Sequence, residues 1–183
     1  LGAMALVFRE AADTDIDDVF DIERRAFGRD NEAQLVAELL GDPGADPKLS
    51  LLTLLDGKPA GHILFTSVRL IGAKKPVSAQ ILAPLAVVPE AQDQGIGSKL
   101  IEEGLRLIGL ARTDLVFVLG DPGYYPRFGF EPAGRLGLNA PYPIPDKHAE
   151  AWMVQALSDH VIGSVAGRVR CADALNKVAL WRE

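Results

Sequence analysis

The residues with the clearest chemical potential are a glutamine and two glycines with the spacing Gln92-x-x-Gly95-x-Gly97. Glycine has no Cβ atom, so the backbone amides of such a turn can approach a ligand closely. A helix that starts directly after the turn adds N–H groups without intrahelical acceptors and the positive end of its dipole. Together these features predict a site for a phosphate or pyrophosphate group.

Two well-known nucleotide-binding loops do not fit this spacing. The dinucleotide fingerprint requires a third glycine at position 100, which is Leu100. The P-loop requires four residues between its glycines and then Gly-Lys-Ser/Thr, which is absent. A turn whose glycines only permit a tight connection, or a generic phosphate nest of an unrelated nucleotide-binding domain, remain as alternatives.

The elements around the turn are a strand, a helix and a second strand. Val77–Val88 predicts a long strand, and its apolar second half indicates a central position in a sheet. Gly95–Ala111 predicts a helix, because its apolar residues recur at helical spacing on one face. Leu115–Leu119 predicts a short strand buried on both faces. The turn therefore connects a buried strand to a long amphipathic helix.

The other predicted elements complete an α+β fold in one domain, residues 4–183. A hairpin is predicted at Asp56-Gly57, because both residues tolerate the positive φ of tight turns. Residues 121–130 predict an aromatic turn or short helix, and residues 134–147 a proline-rich loop. The predicted strands are 5–9, 49–55 and 61–70, with a closing pair at 149–157 and 165–172; the predicted helices are 13–26 and 32–40.

Composition excludes several classes of protein. The 183 residues are 48% hydrophobic and 24% charged, and the net charge is −6, which disfavours tight nucleic-acid binding. The longest apolar run, residues 81–89, is far shorter than the ~20 residues of a membrane span. The lone Cys171 cannot form an internal disulfide, and no His/Cys/Asp/Glu cluster has metal-ligand spacing. We therefore expect a cytoplasmic protein without a metal, in which residues 1–3 are a remnant of an expression vector.

The segment from 85 to 97 resembles the signature of the Gcn5-related N-acetyltransferase (GNAT) superfamily. That signature is Gln/Arg-x-x-Gly-x-Gly/Ala after a strand that ends in Leu-Ala-Val, and Leu85-Ala86-Val87 with the glycine turn matches it. The order of predicted elements is similar from residue 5 to 172. Residues 83–87 and 119–130 are also similar to the bacterial YhbS-like branch of predicted acetyltransferases.

This resemblance implies a binding site for acetyl-CoA. The pantetheine arm would contact backbone groups of the strand, and a backbone N–H near Val87 would stabilise the oxyanion of acyl transfer. The lack of an N–H group at Pro84 fits a strand whose ladder is interrupted. The residues implied in cofactor binding are Leu85, Ala86, Val87, Gln92, Asp93, Gln94, Gly95, Ile96, Gly97, Ser98 and Phe128.

The resemblance also implies a general acid. Tyr125-x-x-x-Gly129-Phe130 matches the family's Tyr-x-x-x-Gly-Phe, in which the phenol can protonate the departing thiolate. Tyr124 is the alternative, because a shift of one residue exchanges the two phenols. Phe128 and Phe130 also fit a role in packing over the sheet.

Glu90 is the candidate base, because it follows the strand end near which the acetyl group should lie; a solvated loop glutamate is the alternative. His62 is more typical of a hydrogen-bonded structural histidine, and Trp152 of the core. We expect direct N-acetyl transfer in a ternary complex, to a small-molecule or peptide amine. A non-catalytic CoA-binding regulatory module is the alternative function. The closing strands leave a homodimer open, and no membrane partner is expected.

Overall fold

The computed structural model describes residues 5–182, so the expectation for residues 1–3 lies outside the described part of the chain. Nine strands of the described residues form one sheet with the order β1-β2-β3-β4-β5-β8-β6, to which β7 and β9 attach through β3. The elements are β1 (Leu6–Glu10), α1 (Ile16–Phe27), α2 (Asn31–Leu40), β2 (Leu49–Leu55), β3 (Lys58–Ile71), β4 (Ala79–Val87), α3 (Ile96–Leu110), β5 (Leu115–Leu119), β6 (Glu131–Pro132), β7 (Leu138–Asn139), β8 (Trp152–Ala156) and β9 (Gly167–Arg170).

The sheet is mixed and mostly antiparallel, which confirms the predicted α+β class. Only β4 with β5 and β7 with β9 run parallel among the described strand pairs. The predicted hairpin joins β2 to β3, with Asp56 at φ 51° and Gly57 at φ 81°. The long apolar strand is central, since β4 lies between β3 and β5.

Helices cover both faces of the sheet. On one face α1 and α2 pack together, and α1 also contacts β3 and β4. On the other face α3 lies directly on β3: a Cβ added at Gly104 would come within 2.4 Å of Phe65 Cε2. The glycine therefore allows a close approach that fixes α3, and with it the turn at its N-terminus, over the strands of the site.

The C-terminal third differs from the sequence prediction. The two closing strands do not pair with each other: β8 pairs with β5 and β6, whereas β9 pairs with β3 and β7. The first of them also begins only at Trp152, after the 3-10 turn Asp146–Ala151. The predicted loop 134–147 contains the short strand β7. The errors in strand partners and in β7 concern pairing between distant segments, which local sequence patterns do not encode.

Candidate active site

The centre of the sheet opens between β4 and β5. The two strands pair only from Ala79–Ile81 to Leu115–Phe117, and the described remainder of β4 pairs with β3 alone. Near Pro84 the β3–β4 register also shifts, between the pairs Ile63↔Leu85 and Phe65↔Leu82. The interruption expected at Pro84 is therefore present. Beyond it, one edge of β4 borders a slot instead of a neighbouring strand.

The register decides which backbone groups face this slot. Val88 N donates to Ala60 O at 2.9 Å, which makes this a hydrogen-bonded pair of the antiparallel ladder. Such pairs alternate with non-hydrogen-bonded ones, so the N–H and C=O groups of Val87 and Leu85 point away from β3, into the slot. The same alternation turns the N–H and C=O of Ala86 towards His62 on β3. The slot is thus lined by the main chain of two of the three predicted strand residues.

The glycine turn closes one end of the slot. Asp93 and Gly95 have φ values of 62° and 80°, and α3 begins directly afterwards at Ile96. The N–H of Lys99 bonds to Gly95 O at 3.2 Å, so the amides of residues 96–98 precede the helical ladder. Ile96 is only 1% exposed, so its side chain packs into the core and anchors the start of α3.

Two glutamine side chains hold the turn in place. Gln92 Nε2 donates to Val87 O at 2.9 Å, which ties the turn to the slot-facing carbonyl of β4. Gln94 Nε2 donates to Glu90 O at 3.2 Å. These contacts give both side chains a positioning role in the loop.

Tyr124 places its hydroxyl at the junction of the slot and α3. Its Oη lies 3.0 Å from Ser98 Oγ, and a Cβ added at Gly97 would lie 3.6 Å from it. The same Cβ would meet Val87 Cγ2 at 3.7 Å and Leu85 Cδ2 at 3.9 Å. The phenol of Tyr124 therefore lies beside the strand residues that face the slot. No local pattern in the sequence predicts its hydrogen bond with Ser98, because the two residues are far apart along the chain.

Tyr125 lies deeper, at the end of β5. Its ring packs so closely over Gly120 that a Cβ there would come within 2.3 Å of Tyr125 Cε2. Burial, with smaller contributions from Tyr124 and Asp121, raises the pKa of its phenol well above the ordinary value of 10.0. The hydroxyl therefore keeps its proton over the physiological range. The two candidate acids are neighbours, with ring centroids 5.2 Å apart.

Phe128 belongs to the same aromatic group. It is half-buried and lies edge-on to Tyr124, with ring centroids 5.2 Å apart. Phe130 is buried and packs edge-on against Tyr125. Arg127 lies over the Tyr124 ring, with its Cζ 4.8 Å from the centroid. The segment therefore stacks around the two tyrosines and limits the positions that their hydroxyls can take.

Glu90 makes an ion pair with α1. Both of its carboxylate oxygens lie 2.5 Å from Arg25 Nη2, and its side chain is 60% exposed. The hydrogen bond from Arg25 lowers the pKa of Glu90, which weakens it as a base. The predicted role of Glu90 as general base stays a prediction. Its ion pair with Arg25 also connects α1 to the loop that follows β4.

A buried polar chain connects α1 to β3 and β2. Glu23 Oε2 is 2.8 Å from His62 Nδ1, and His62 Nε2 is 2.8 Å from Ser50 Oγ. Glu23 and His62 are both 0% exposed, as expected for a hydrogen-bonded structural histidine. Burial raises the pKa of Glu23, opposed by His62. Glu23 was missed, although a glutamate within the apolar stripe of α1 could have indicated a buried partner.

Neither a metal-binding cluster nor a membrane-spanning helix is present in residues 5–182. These residues contain no group of three or more His, Cys, Asp or Glu side chains that could hold a metal ion. No helix among them has the length and apolar character that a membrane crossing requires.

Comparison with known proteins identifies the fold and the family. Residues 7–133 match the acetyltransferase (GNAT) domain. YjhQ of Escherichia coli K12, an uncharacterized N-acetyltransferase, is 48% identical over 161 residues, 87% of this chain and 88% of its own. YhbS of the same strain, also an uncharacterized N-acetyltransferase, is 32% identical over 84% of this chain and 89% of its own.

Two solved structures show the same architecture. The crystal structure of E. coli YhbS in complex with CoA has a TM-score of 0.85 and 30% identity, covering 96% of this chain and 94% of that one. A GNAT acetyltransferase from Brucella melitensis in complex with acetyl-CoA has a TM-score of 0.73 and 28% identity, covering 93% and 98%. The family match, the sequence identity to the relatives and the structural similarity agree, and the chain belongs to the GNAT family of N-acetyltransferases.

Proposed function

We propose that the protein transfers an acetyl group from acetyl-CoA directly to an amine acceptor within a ternary complex. The observation that carries this proposal is the slot beside β4, where the main chain of Leu85 and Val87 is turned towards the opening. The slot leads to the amides of residues 96–98, which precede the helical ladder of α3 and suit a pyrophosphate. The CoA and acetyl-CoA complexes of the two structural neighbours support this assignment.

In the proposed reaction the acceptor nitrogen attacks the thioester carbonyl. The carbonyl oxygen gains negative charge, and the N–H of Val87 donates to it. When the C–S bond breaks, the thiolate takes a proton from a phenol, and the acceptor nitrogen loses its extra proton to a base or to water. The lone Cys171 is buried, and burial raises the pKa of its thiol to about 12, which supports direct transfer over an acetyl-cysteine route.

A proline at position 87 tests whether the slot-facing N–H of Val87 is needed for the reaction. Val87→Pro removes the slot-facing N–H. It leaves the hydrogen bonds between β3 and β4 intact, because Val87 and Gly61 form a non-hydrogen-bonded pair of that ladder. We expect turnover to fall by about 10²–10³-fold, the usual effect of losing one oxyanion donor, with CoA affinity changed much less. Ala86→Pro is the matched control, because it removes a ladder bond and should lower the unfolding midpoint instead. A folded Val87→Pro protein with normal turnover would refute the proposed oxyanion donor.

The tyrosines are proposed as the source of the proton. Tyr125 fits the family spacing and keeps its proton, whereas Tyr124 has its hydroxyl beside Ser98 and Val87. Each phenol is removed separately by Tyr124→Phe and Tyr125→Phe, and release of CoA thiol is followed. The acid is the residue whose loss reduces turnover by about 10²–10⁴-fold while CoA affinity is kept. Unchanged turnover in both variants, or loss of CoA binding alone, would remove the tyrosines from this role.

Glu90 as base is tested by Glu90→Gln, with Arg25→Gln as the matched control. A base would give a large loss of turnover in Glu90→Gln alone. A purely structural ion pair between α1 and the loop after β4 would give similar, small losses of turnover in both variants, because each change breaks the same ion pair. The second outcome would assign proton removal to water or to another group.

Binding of CoA to the slot and the glycine turn can be tested directly. Titration calorimetry with CoA should show binding, and ATP or NAD should not compete for the site. Competition by ATP or NAD, with none by CoA, would support the generic phosphate nest instead. For the acceptor, we propose a small-molecule or peptide amine. A screen of amines that follows released thiol would identify its class.

A further inference from the structure

An arginine-rich surface is formed by β9 and the end of β3. Arg69 on β3 pairs directly with Arg170 on β9, and two positions further along Ile71 pairs with Arg168. Residues directly opposite each other point to the same face of a sheet, and so do alternate residues of one strand. These four side chains therefore lie together, and all of them are exposed. We call this group of four residues the arginine face.

The opposite face of the same two strands packs into the core. Val169 is 0% exposed, and its partner Leu70 packs against the core cluster to which Val169 belongs. The alternation of side chains along the strands therefore turns the arginines outward. Arg69 directly follows Val68, which pairs with the first residue of β4, so the arginine face lies at the end of β4 opposite the slot.

The three arginines of this face form no ion pair with any of residues 5–182. Arginines in other parts of the described chain are paired with an acidic side chain: Arg9, Arg24, Arg25, Arg29, Arg106 and Arg135. Two like charges directly opposite each other destabilise a pair of strands, as Arg69 and Arg170 do here. An anionic partner would relieve this repulsion.

Acidic residues border the arginine face without neutralising it. Three aspartates line a cavity together with Arg69 and Arg170: Asp42, Asp46 and Asp173. None of them forms an ion pair with either arginine, and Asp46 is paired with Lys48 instead. Residues 74–75, both exposed lysines without an ion pair in the described chain, line the neighbouring cavity together with Arg69. Positive charge therefore remains in excess on the arginine face and the loop after β3.

We propose that the arginine face binds an extended acidic peptide segment of a partner protein, with acidic side chains at alternate positions. A guanidinium group matches the geometry of a carboxylate, to which it donates two parallel hydrogen bonds. Arg168 and Arg170 are two residues apart on a strand, about 6.6 Å, and alternate side chains of an extended peptide have the same spacing. Ile71 offers an apolar contact to the same segment. The proposal does not depend on acetyl transfer in the slot.

Single-stranded nucleic acid is the alternative polyanion. Its binding sites combine cations with aromatic side chains on which the bases stack. Residues 69–71 and 168–170 include no aromatic residue, and the net charge of −6 disfavours a long phosphate backbone. A short acidic peptide requires neither stacking nor an extended positive surface, so the observations favour the peptide.

A fluorescein-labelled peptide of four Glu-Thr repeats is the probe. We expect saturable binding in fluorescence anisotropy at low salt, with an affinity that falls as the salt concentration rises. A Gln-Thr peptide should not bind. A peptide of four Glu-Thr-Thr repeats should bind about fivefold more weakly, because its glutamates do not match the spacing of alternate arginines. Absence of binding by the Glu-Thr peptide, equal binding by the Glu-Thr-Thr peptide, or tighter binding by an oligothymidylate of equal charge would overturn the proposal.

Neutralisation of the arginine face identifies the binding surface. The triple variant Arg69→Gln, Arg168→Gln and Arg170→Gln should bind the Glu-Thr peptide about tenfold more weakly or worse, as the loss of three exposed ion pairs implies. Its affinity for CoA should not change, because the arginine face lies away from the slot. Full peptide affinity in the folded triple variant would refute the role of these arginines.

A second triple variant with the same net charge is the matched control. Lys58→Gln, Arg112→Gln and Lys147→Gln remove as much charge from exposed residues that form no ion pair within residues 5–182 and line neither cavity beside the arginine face. This variant should keep its affinity for the Glu-Thr peptide. An equal loss of affinity in both triple variants would show that the peptide responds to total charge alone, and would contradict the proposal.

Discussion

Substitutions of Gly97 test how much side-chain volume the turn can hold before CoA affinity is lost. Gly97 is a helical residue, and a Cβ there would meet Tyr124 Oη, Val87 Cγ2 and Leu85 Cδ2 at 3.6–3.9 Å, which are ordinary contacts. Gly97→Ala should therefore stabilise the protein by about 0.5–1 kcal/mol through helix propensity and leave CoA affinity nearly unchanged. The γ carbons of valine extend about 1.5 Å further, which the same neighbours cannot accommodate.

The valine variant is thus expected to displace Tyr124 or β4. Overpacking of this kind costs about 1–3 kcal/mol of folding free energy. A displaced Tyr124 or β4 also distorts the slot, and we therefore expect CoA affinity in Gly97→Val to fall by about tenfold or more. Gly109 is the matched control, because it lies in the same helix and a Cβ there has no neighbour within 4 Å. Gly109→Ala and Gly109→Val should leave CoA affinity unaltered. Calorimetry with CoA and urea unfolding measure both effects. A folded Gly97→Ala that loses CoA, or a Gly97→Val that binds normally, would refute this account of the turn.

Two further predictions concern the packing that supports the site. Gly104→Ala should destabilise the protein by about 1–3 kcal/mol in urea unfolding, because its Cβ would come within 2.4 Å of Phe65 Cε2; wild-type stability would contradict the close helix approach. Glu23→Ala should cost about 2–4 kcal/mol, because it leaves His62 Nδ1 buried without its acceptor, whereas Glu23→Gln should cost less. Because burial raises the pKa of Glu23 above 4.5, wild-type stability should fall relative to Glu23→Gln as pH rises above about 4.5; parallel stability profiles of the two proteins would contradict this.

The sequence predicted the parts of the site whose chemistry resides in the backbone. Gly95 has the positive φ that its residue type suggests, and Pro84 lies at the interruption of the ladder. These residues constrain their own backbone, so their effect is local and can be inferred from residue type. The apolar periodicity of α3 is equally local, and its predicted bounds, 95–111, differ from the observed ones by one residue at each end.

The remaining parts depend on contacts between distant segments. Ser98 and Tyr124 meet because α3 and the aromatic turn flank the same slot, and Glu23 reaches His62 because α1 crosses β3. The true partners of β8 follow from the sheet as a whole. Local periodicity does not encode contacts of this kind. The sequence therefore indicates Tyr125 as the acid with Tyr124 as the alternative, but not the contact of Tyr124 with Ser98.

The backbone character of the slot has a consequence for the acceptor. The main-chain N–H groups of Leu85 and Val87 are present whatever side chains these residues carry. Binding of acetyl-CoA through them therefore does not constrain the side chains of neighbouring residues. Selection of the acceptor must then come from side chains outside the slot. The end of α1 lies beside the loop that follows β4, because Arg25 forms an ion pair with Glu90. Under the proposed mechanism, exchange of the loop after α1, residues 28–30, should therefore alter the preferred amine and leave CoA affinity unchanged. Loss of CoA affinity in such an exchange would mean that carrier and acceptor share the same determinants.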